Sequence, residues 1–383
     1  MSIVSGLDPM LVNLARRALL QARVVLAVPN PAQTLFRLSS TSSESHSFTV
    51  SHLVNACGLS PESALSASRL VCFETPSRPD SILRLLRERG FSRTQISNVV
   101  TRYPRLLLTS PDTILLPKIN FLRSRGFSDA DVARVISALP RLLARSLENH
   151  LRPTLDYIGD LVQSGQNAVA AIKRCPRTLY EDPGTLLIPK ITILRNAGVP
   201  PANIGHLVLY HGPIFLASTE QFDKAVDKVK AMGFKPSKMG FVSALHVLRG
   251  MSESLWRRKI GVYGKWGWSE EEVASAFRRH PWCMAASEIK ITKAMDFFVY
   301  EMGIDSLQIA RRPVVISLSL RKRIVPRCLV FRVLLSKGLV DTPSLATSLI
   351  VPEKRFLKEF VTRYLGKAPQ LLDLYNEKMG LAS

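Results

Sequence analysis

The chain has 383 residues, 46% of them hydrophobic, and its 52 Lys and Arg against 30 Asp and Glu give a formal net charge of +22. That apolar content excludes a largely disordered chain. A charge of this size indicates a polyanionic partner, nucleic acid before an anionic membrane, with solubility alone as the competing explanation. Five scattered cysteines without a C-x-x-C pair argue against a disulfide framework or a zinc site.

The first 45 residues differ in composition from the rest. Up to Ser43 they hold four arginines and a single acid, Asp8, and they end in the serine-rich stretch RLSSTSS. This composition is typical of an organellar transit peptide, so we predict a leader at residues 1–45, removed or disordered in the mature protein. The sequence from Arg37 to Ser40 resembles a matrix-processing site, which favours the mitochondrion, with the chloroplast as the alternative. We find no apolar run of 18 residues and expect no membrane-spanning helix.

Beyond the leader the chain repeats itself about every 36 residues. A glycine followed by an apolar residue recurs at Gly58, Gly90, Gly126, Gly198, Gly233, Gly267, Gly303 and Gly338. The gap of 72 residues after Gly126 spans two repeats, and we assign Val162 to the place of the missing glycine. Prolines keep the same period at Pro104, Pro140 and Pro176, and a second series at Pro117, Pro153 and Pro189 does so too. Such a period predicts stacked supersecondary units.

Each unit is predicted to hold two helices. Glycine suits the left-handed position just past a helix end, and the serine two residues later suits the N-cap of the next helix. Ser92-x-x-Gln95 and Ser269-x-x-Glu272 have the spacing of capping boxes. Pro104 cannot continue the first helix, and a second helix is predicted from about residue 112 to residue 125.

Units of this kind cannot bury their apolar faces alone, so they stack into an α-solenoid with a continuous core and a long concave surface. We predict eight or nine units in one elongated domain over residues 46–370, and a C-terminal cap or tail at residues 371–383.

The pattern resembles the mTERF family of organellar transcription-termination-like factors, best in LRERGFSRTQISNVVTRYPRLLL and ALPRLLARSLENHLRPTLDYI. The resemblance implies an all-α superhelix of helix–3₁₀–helix repeats, a mitochondrial or plastid address, and binding of double-stranded DNA, sometimes RNA, through a basic concave face. Three units depart from the pattern: HVLRG stands where a proline is expected after Gly233, Pro313 follows Gly303 by only 10 residues, and Gly165 is out of register. We expect those units to bend differently or to bind less.

Basic residues gather around the repeated proline, and we take them as the candidate nucleic-acid contacts. They are Arg102, Arg105, Arg141, Arg145, Lys173, Arg174, Arg177, Arg278, Arg279, Arg311 and Arg312. Because the motif repeats, these side chains should form a stripe along one edge of the solenoid, where guanidinium groups can follow a phosphate backbone. The alternative is that they are solvated cations favoured at helix C-termini. Around Tyr210–Pro213 there is no Lys or Arg, so the stripe should have a gap.

Two further basic stretches allow two interpretations each. WRRKIGVYGKWGW at 256–268 mixes tryptophans with cations, as in single-strand binding sites. Trp268, however, occupies the apolar slot after Gly267, so core packing is the favoured interpretation of that side chain. Residues 321–323 form a basic cluster that is either a phosphate contact or a solvated turn.

The sequence shows no H-x-x-x-H or H-x-E pair, no phosphate loop and no G-x-S-x-G motif. We therefore predict no enzyme, no metal, no cofactor and no membrane association, and a monomer. The predicted function is binding of organellar nucleic acid, double-stranded DNA first, to regulate transcription termination or initiation. The protein partner that we expect is organellar transcription or RNA-processing machinery. Two alternatives remain open: an RNA-binding repeat acting in intron splicing or transcript processing, and a protein-interaction scaffold.

Overall fold

The computed structural model describes residues 41–340 and 348–380, with side-chain surroundings from residue 46 onward. Every regular element within those residues is a helix, which confirms the all-α prediction. The described chain divides into two compact units: one runs to Asn196 and includes Pro200–Phe222, and the other holds Ala197–Val199 and the chain from Asp223 onward. The predicted leader lies outside the described residues except at its end, where the first helix begins, and the predicted extent of the repeat array, 46–370, stays a prediction.

Eighteen α-helices of six residues or more make up the repeats in the described part of the chain. Up to residue 231 they are α1 Thr41–Asn55, α2 Pro61–Ser68, α3 Ser77–Glu88, α4 Arg93–Arg102, α5 Leu116–Ser124, α6 Asp129–Ala138, α7 Arg152–Val162, α8 Gly165–Arg174, α9 Ile188–Asn196, α10 Pro201–His211 and α11 Thr219–Ala231. The remaining helices are α12 Met239–Arg249, α13 Glu253–Gly264, α14 Glu270–Arg279, α15 Glu288–Asp296, α16 Ser306–Arg311, α17 Val325–Ser336 and α18 Leu371–Met379.

Short helical segments link these helices. Three are 3₁₀ helices that begin at the repeated proline or one residue before it, Pro104–Leu108, Pro140–Ala144 and Gly212–Leu216. Three are single α-turns that begin one residue after the proline, Arg177–Tyr180, Trp282–Ala285 and Val314–Ser317. Further turns adjoin the second helices or the C-terminal region, at Pro111–Leu115, Leu147–Leu151, Pro183–Leu186, Phe297–Glu301, Leu320–Ile324, Glu353–Phe356, Leu357–Val361 and Thr362–Tyr364. We call each segment that begins at the repeated proline, with that proline included, a connector.

The junction between repeats is built as the glycine pattern predicts. Gly90 has φ of 79°, and the amide of Phe91 donates to the Leu86 carbonyl at 3.1 Å, which closes the end of α3. Phe91 is buried, and Ser92 then caps α4 in a capping box with Gln95. The other predicted glycines all have positive φ as well.

The prediction for the junction that lacks a glycine was wrong by one residue. Gln163, not Val162, takes the left-handed conformation, with φ of 53°. Among the described residues it is the one non-glycine residue with positive φ. The junction is also one residue shorter, because Ser164 both closes α7, through its amide and the Gly159 carbonyl, and caps α8. The apolar residue that follows the glycine at the other junctions has no counterpart here, and a cleft of about 590 Å³ opens beside Gln163 and Ser164.

A second row of caps starts the second helices, and it was not recognised from the sequence. The side chains of Ser110, Ser146, Asp182 and Ser218 each accept a hydrogen bond from the backbone amide three residues later. These residues are spaced by 36, so the period itself contained the signal. In the repeats whose first helices are capped by Ser92, Ser128 and Ser164, both helices therefore start at a side-chain oxygen.

The C-terminal helix closes the second unit. Leu371 and Tyr375 of α18 are buried, and α18 packs on α17. Arg327 of α17 is fully buried, donates to the carbonyls of Ser348 and Val351 at 2.8 and 2.7 Å, and pairs with Glu353 at 2.7 Å. Residues 371–379 are thus packed against α17, and the cap or tail predicted for residues 371–383 stays a prediction.

The two kinds of junction should respond in opposite directions to substitution. Gln163→Gly removes a strained left-handed residue and should raise the free energy of unfolding by about 0.5–1 kcal/mol, whereas Gly90→Ala should lower it by about 1–2 kcal/mol. A Cβ at Gly90 would meet no atom within 4 Å, so the loss reports backbone strain alone. Urea denaturation measures both changes, and a destabilised Gln163→Gly variant would contradict the assignment of the junction.

Candidate nucleic-acid interface

Three consecutive connectors of the first unit present an arginine at the same place. Arg105, Arg141 and Arg177 each follow the repeated proline directly, are spaced by 36 residues, and are exposed. The connector Pro140–Ala144 contacts the next connector, around Arg177. We call these three residues the arginine row.

Local packing explains why this position faces outward. The proline is buried in the first two connectors, and so are the second and third residues after it: Leu106 and Leu107 in one connector, Leu142 and Leu143 in the next. A 3₁₀ helix has three residues per turn, so when those positions face the core the position directly after the proline faces solvent. For Arg105 and Arg141 the repeat thereby sets the direction of the side chain without any contact to its guanidinium group.

Four of the predicted contact residues are exposed and make no hydrogen bond, ion pair or ring contact with any described residue. They are Arg105, Arg141, Arg278 and Arg311. Arg278 packs its aliphatic stem near Gly233, where a Cβ would lie 3.6 Å from Cδ. Unpaired exposed guanidinium groups are available for phosphate oxygens, which they bind in a bidentate manner.

Two other predicted residues bind helix ends instead. Arg102 donates to the Ala138 carbonyl at 3.0 Å, and Arg279 donates to the Ala310 carbonyl at 3.4 Å. Both bonds cross from the first helix of one repeat to the end of the first helix of the next. For these two residues the helix-end interpretation describes the observed contact, since a cation is stabilised at the negative end of a helix.

The remaining predicted residues have mixed surroundings. Lys173 pairs with Asp131 at 2.7 Å, and Arg177 of the arginine row pairs with Glu181 at 2.9 Å while more than half of its side chain stays exposed. Arg145 is half-buried and lies over the Tyr180 ring at 4.5 Å, and Arg312 is exposed at the end of α16.

A cation of the preceding repeat lies beside the gap expected around Tyr210–Pro213. Arg174 lies over the ring of Tyr210, 5.0 Å from its centroid, and Tyr210 is itself exposed. The residue directly after Pro213 is Ile214, which is buried, so this connector adds no member to the arginine row.

The sequence matches a family model over most of this architecture. Residues 83–244 and 213–357, two overlapping stretches, match the mTERF model. The chain belongs to the mTERF family. It is therefore a nucleic-acid-binding helical-repeat protein, as the resemblance in the repeats predicted. No curated protein sequence matches the chain at a significant level.

Several cations of this mTERF chain are buried and serve the fold, which reasoning from the sequence missed. Lys118, Lys190 and Lys259 are each less than a tenth exposed, and burial lowers the pKa of each amino group. Lys118 and Lys190 each stand directly after a proline of the second series, Pro117 and Pro189. A lysine at this fixed place in the repeat was the sequence signal for a buried cation.

In the tryptophan-rich stretch, Trp256 and Trp268 pack against aromatic residues of the protein instead of forming an exposed stacking surface. Trp268 is buried and stacks on Tyr263 at 4.5 Å, and Trp256 meets Phe277 edge-on at 5.0 Å. Of the basic cluster at 321–323, Arg323 is neither a phosphate contact nor a solvated turn, because it donates to the carbonyls of Leu349, Ile350 and Val351.

Among the described residues, no helix is long and apolar enough to cross a membrane. In the same part of the chain, no three His, Cys, Asp or Glu side chains are grouped so that they would hold a metal ion.

The histidines along the connectors make stability depend on pH. His150 donates through Nε2 to the Leu179 carbonyl and His280 through Nε2 to Ser317 Oγ, both at 3.0 Å. Burial lowers the pKa of both, and the charge of Arg145 lowers that of His150 further. When the folded pKa lies below the unfolded one, the unfolded chain takes up protons first as pH falls, so the folded state loses stability below about pH 6.5.

The free energy of unfolding should therefore be lower at about pH 5.5 than at about pH 7.5, a window above the usual carboxylate range. Urea denaturation of His150→Gln combined with His280→Gln should show a smaller decrease. The pKa values of His206 and His246 are lowered by burial as well, so part of the decrease should remain. An unchanged decrease in the double variant would contradict the assignment to these two residues.

Proposed function

We propose that this mTERF protein binds double-stranded DNA in the mitochondrion and regulates transcription by occupying it, without catalysis. The observation that carries the proposal is the arginine row, three exposed guanidinium groups at equivalent places in consecutive connectors. The net charge of +22 supports a polyanionic ligand.

The spacing of the repeats suits a phosphate backbone. Packed helices lie about 8–10 Å apart, so equivalent arginines recur at about that interval, while each DNA strand carries a charge about every 3.4 Å along the axis. Consecutive arginines would thus meet about every third phosphate of one strand. Such contacts hold the protein in place without reading bases, and binding should be mainly electrostatic with modest sequence preference. A tightly bound protein would then stall or position a polymerase.

A salt titration tests the proposal. The full chain should bind duplex DNA more tightly than duplex RNA or single strands, and its affinity should fall steeply between about 50 and 200 mM salt, by about 10³-fold if about six phosphates are contacted. Tighter binding of RNA would favour the role in transcript processing. Absence of salt-sensitive binding to every nucleic acid would favour the protein scaffold and overturn the proposal.

A matched pair of variants locates the contact. Replacing Arg105, Arg141 and Arg177 with Ala should reduce the slope of log affinity against log salt by about 2.7, since each phosphate contact contributes about 0.9 on duplex DNA. The control replaces Arg84, Arg195 and Arg332, exposed arginines of second helices, and removes the same charge from residues outside the connectors. Equal effects of the two triple variants would show that net charge, not the row, determines binding.

The mitochondrial address rests on the composition of residues 1–45, which are rich in Arg and Ser and poor in acids. A fluorescent protein fused behind this segment should enter mitochondria, and replacement of Arg16, Arg17 and Arg23 with Glu should keep it in the cytosol. Import into plastids would favour the alternative compartment. If the unmodified fusion stays in the cytosol, residues 1–45 are not a targeting leader.

A further inference from the structure

Each connector of the arginine row is held by a basic side chain from the preceding repeat. Lys118 Nζ of α5 donates to the Leu143 carbonyl at 2.5 Å, and His150 Nε2 donates to the Leu179 carbonyl at 3.0 Å. Arg78 of α3 donates in the same way to the Leu108 carbonyl, at 3.3 Å. All three bonds run from the second-helix region of one repeat to the end of the next connector.

The second unit repeats this arrangement with other residues. Lys259 Nζ donates to the Met284 carbonyl at 2.5 Å, and Lys290 Nζ donates to the Ser317 carbonyl at 2.6 Å. Lys118 and Lys259 each reach a carbonyl 25 residues ahead, the third residue after the connector proline. Because the bond has the same register in both units, we regard it as a feature of the repeat and not of one helix pair.

One repeat shows that the bond is kept when the usual residue is lost. Thr154 stands 36 residues after Lys118, is buried, and its hydroxyl has no hydrogen-bond partner among the described residues. His150, one helical turn earlier, makes the bond to Leu179 instead. The carbonyl that receives the bond is thus the same although the donor has moved.

The carbonyl needs such a donor for a physical reason. The last carbonyls of a helical segment have no partner within it, and no described backbone amide donates to the carbonyl of Leu143 or Leu179. A charged donor also meets the negative end of the segment. Lys118 is buried and has no carboxylate partner among the described residues. Within that part of the chain, the bond to the Leu143 carbonyl is the polar contact that its amino group makes.

We propose that Arg78, Lys118 and His150 are positioning residues for nucleic-acid binding, each fixing the connector that displays one member of the arginine row. Lys118 holds Leu143, two residues after Arg141, and His150 holds Leu179, two residues after Arg177. The inference rests on the proposed function, because it assigns these residues a role through the arginines they orient.

The test is a double-mutant cycle on the full chain with duplex DNA. If Lys118→Met releases the connector and one phosphate contact is lost, affinity should fall by about 15-fold at 50 mM salt and about 4-fold at 200 mM, with the salt slope reduced by about 0.9. Arg141→Ala should have the same effect, and the double variant should lose little more than Arg141→Ala alone. Lys118→Arg keeps a donor and should restore part of the affinity.

Lys190→Met is the matched control. Lys190 is as deeply buried as Lys118 and stands two repeats later in the same register, but it donates to the Leu186 carbonyl within its own repeat, at 3.0 Å. Its replacement should lower stability and leave the salt slope unchanged. Urea denaturation in the binding buffer confirms that each variant is folded when its affinity is measured.

The outcomes separate the two proposals. If Arg141→Ala weakens binding but Lys118→Met behaves like Lys190→Met, the positioning role is overturned and the arginine row stands. If Arg141→Ala has no effect, the row itself fails and the positioning role with it. If Lys118→Met does not fold, the next connector allows the same test. There His150→Leu removes the donor, His150→Gln keeps one, and Arg177→Ala removes the arginine that the connector displays.

Discussion

The structure depends on one constraint: each repeat has to reverse its chain within a few residues after the second helix. A left-handed residue does this at every described junction, a glycine at most of them and Gln163 at one. At Gly90, for example, the turn places Phe91 in the core and Ser92 at an N-cap, so the start of the following first helix is determined. Since a two-helix unit cannot bury its apolar face alone, the same register is then passed from repeat to repeat.

The constraint divides the positive charge into two populations. Cations that point inward from second helices satisfy carbonyls of the next connector, as Lys118 and Lys259 do. Cations that directly follow the connector proline face solvent, as Arg105 and Arg141 do. The net charge of +22 therefore overstates what is available to a ligand, although both populations arise from the same repeat.

Much of the fold was predictable because its signals are local. The capping boxes at Ser92 and Ser269 and the burial of Trp268 follow from neighbouring residues in the sequence, and the structure confirms them. The junction at Gln163 was misplaced because a one-residue deletion shifts the turn without leaving a glycine to mark it. At the candidate interface the positions of the basic residues were predictable, but their partners were not, because Arg102 and Arg279 reach carbonyls more than 30 residues away.

The sequence by itself determined the repeat, its two helices, and the family, because glycine, proline and cap residues act on the backbone within a few residues of themselves. Only the tertiary structure decided which cations are structural and which are displayed. Lys190 and Arg141 are both basic residues directly after a repeated proline, yet one is buried and the other exposed. That difference arises from packing between helices: the two proline series fix where each cation stands in the repeat, and the neighbouring helices decide whether its side chain meets a carbonyl or solvent.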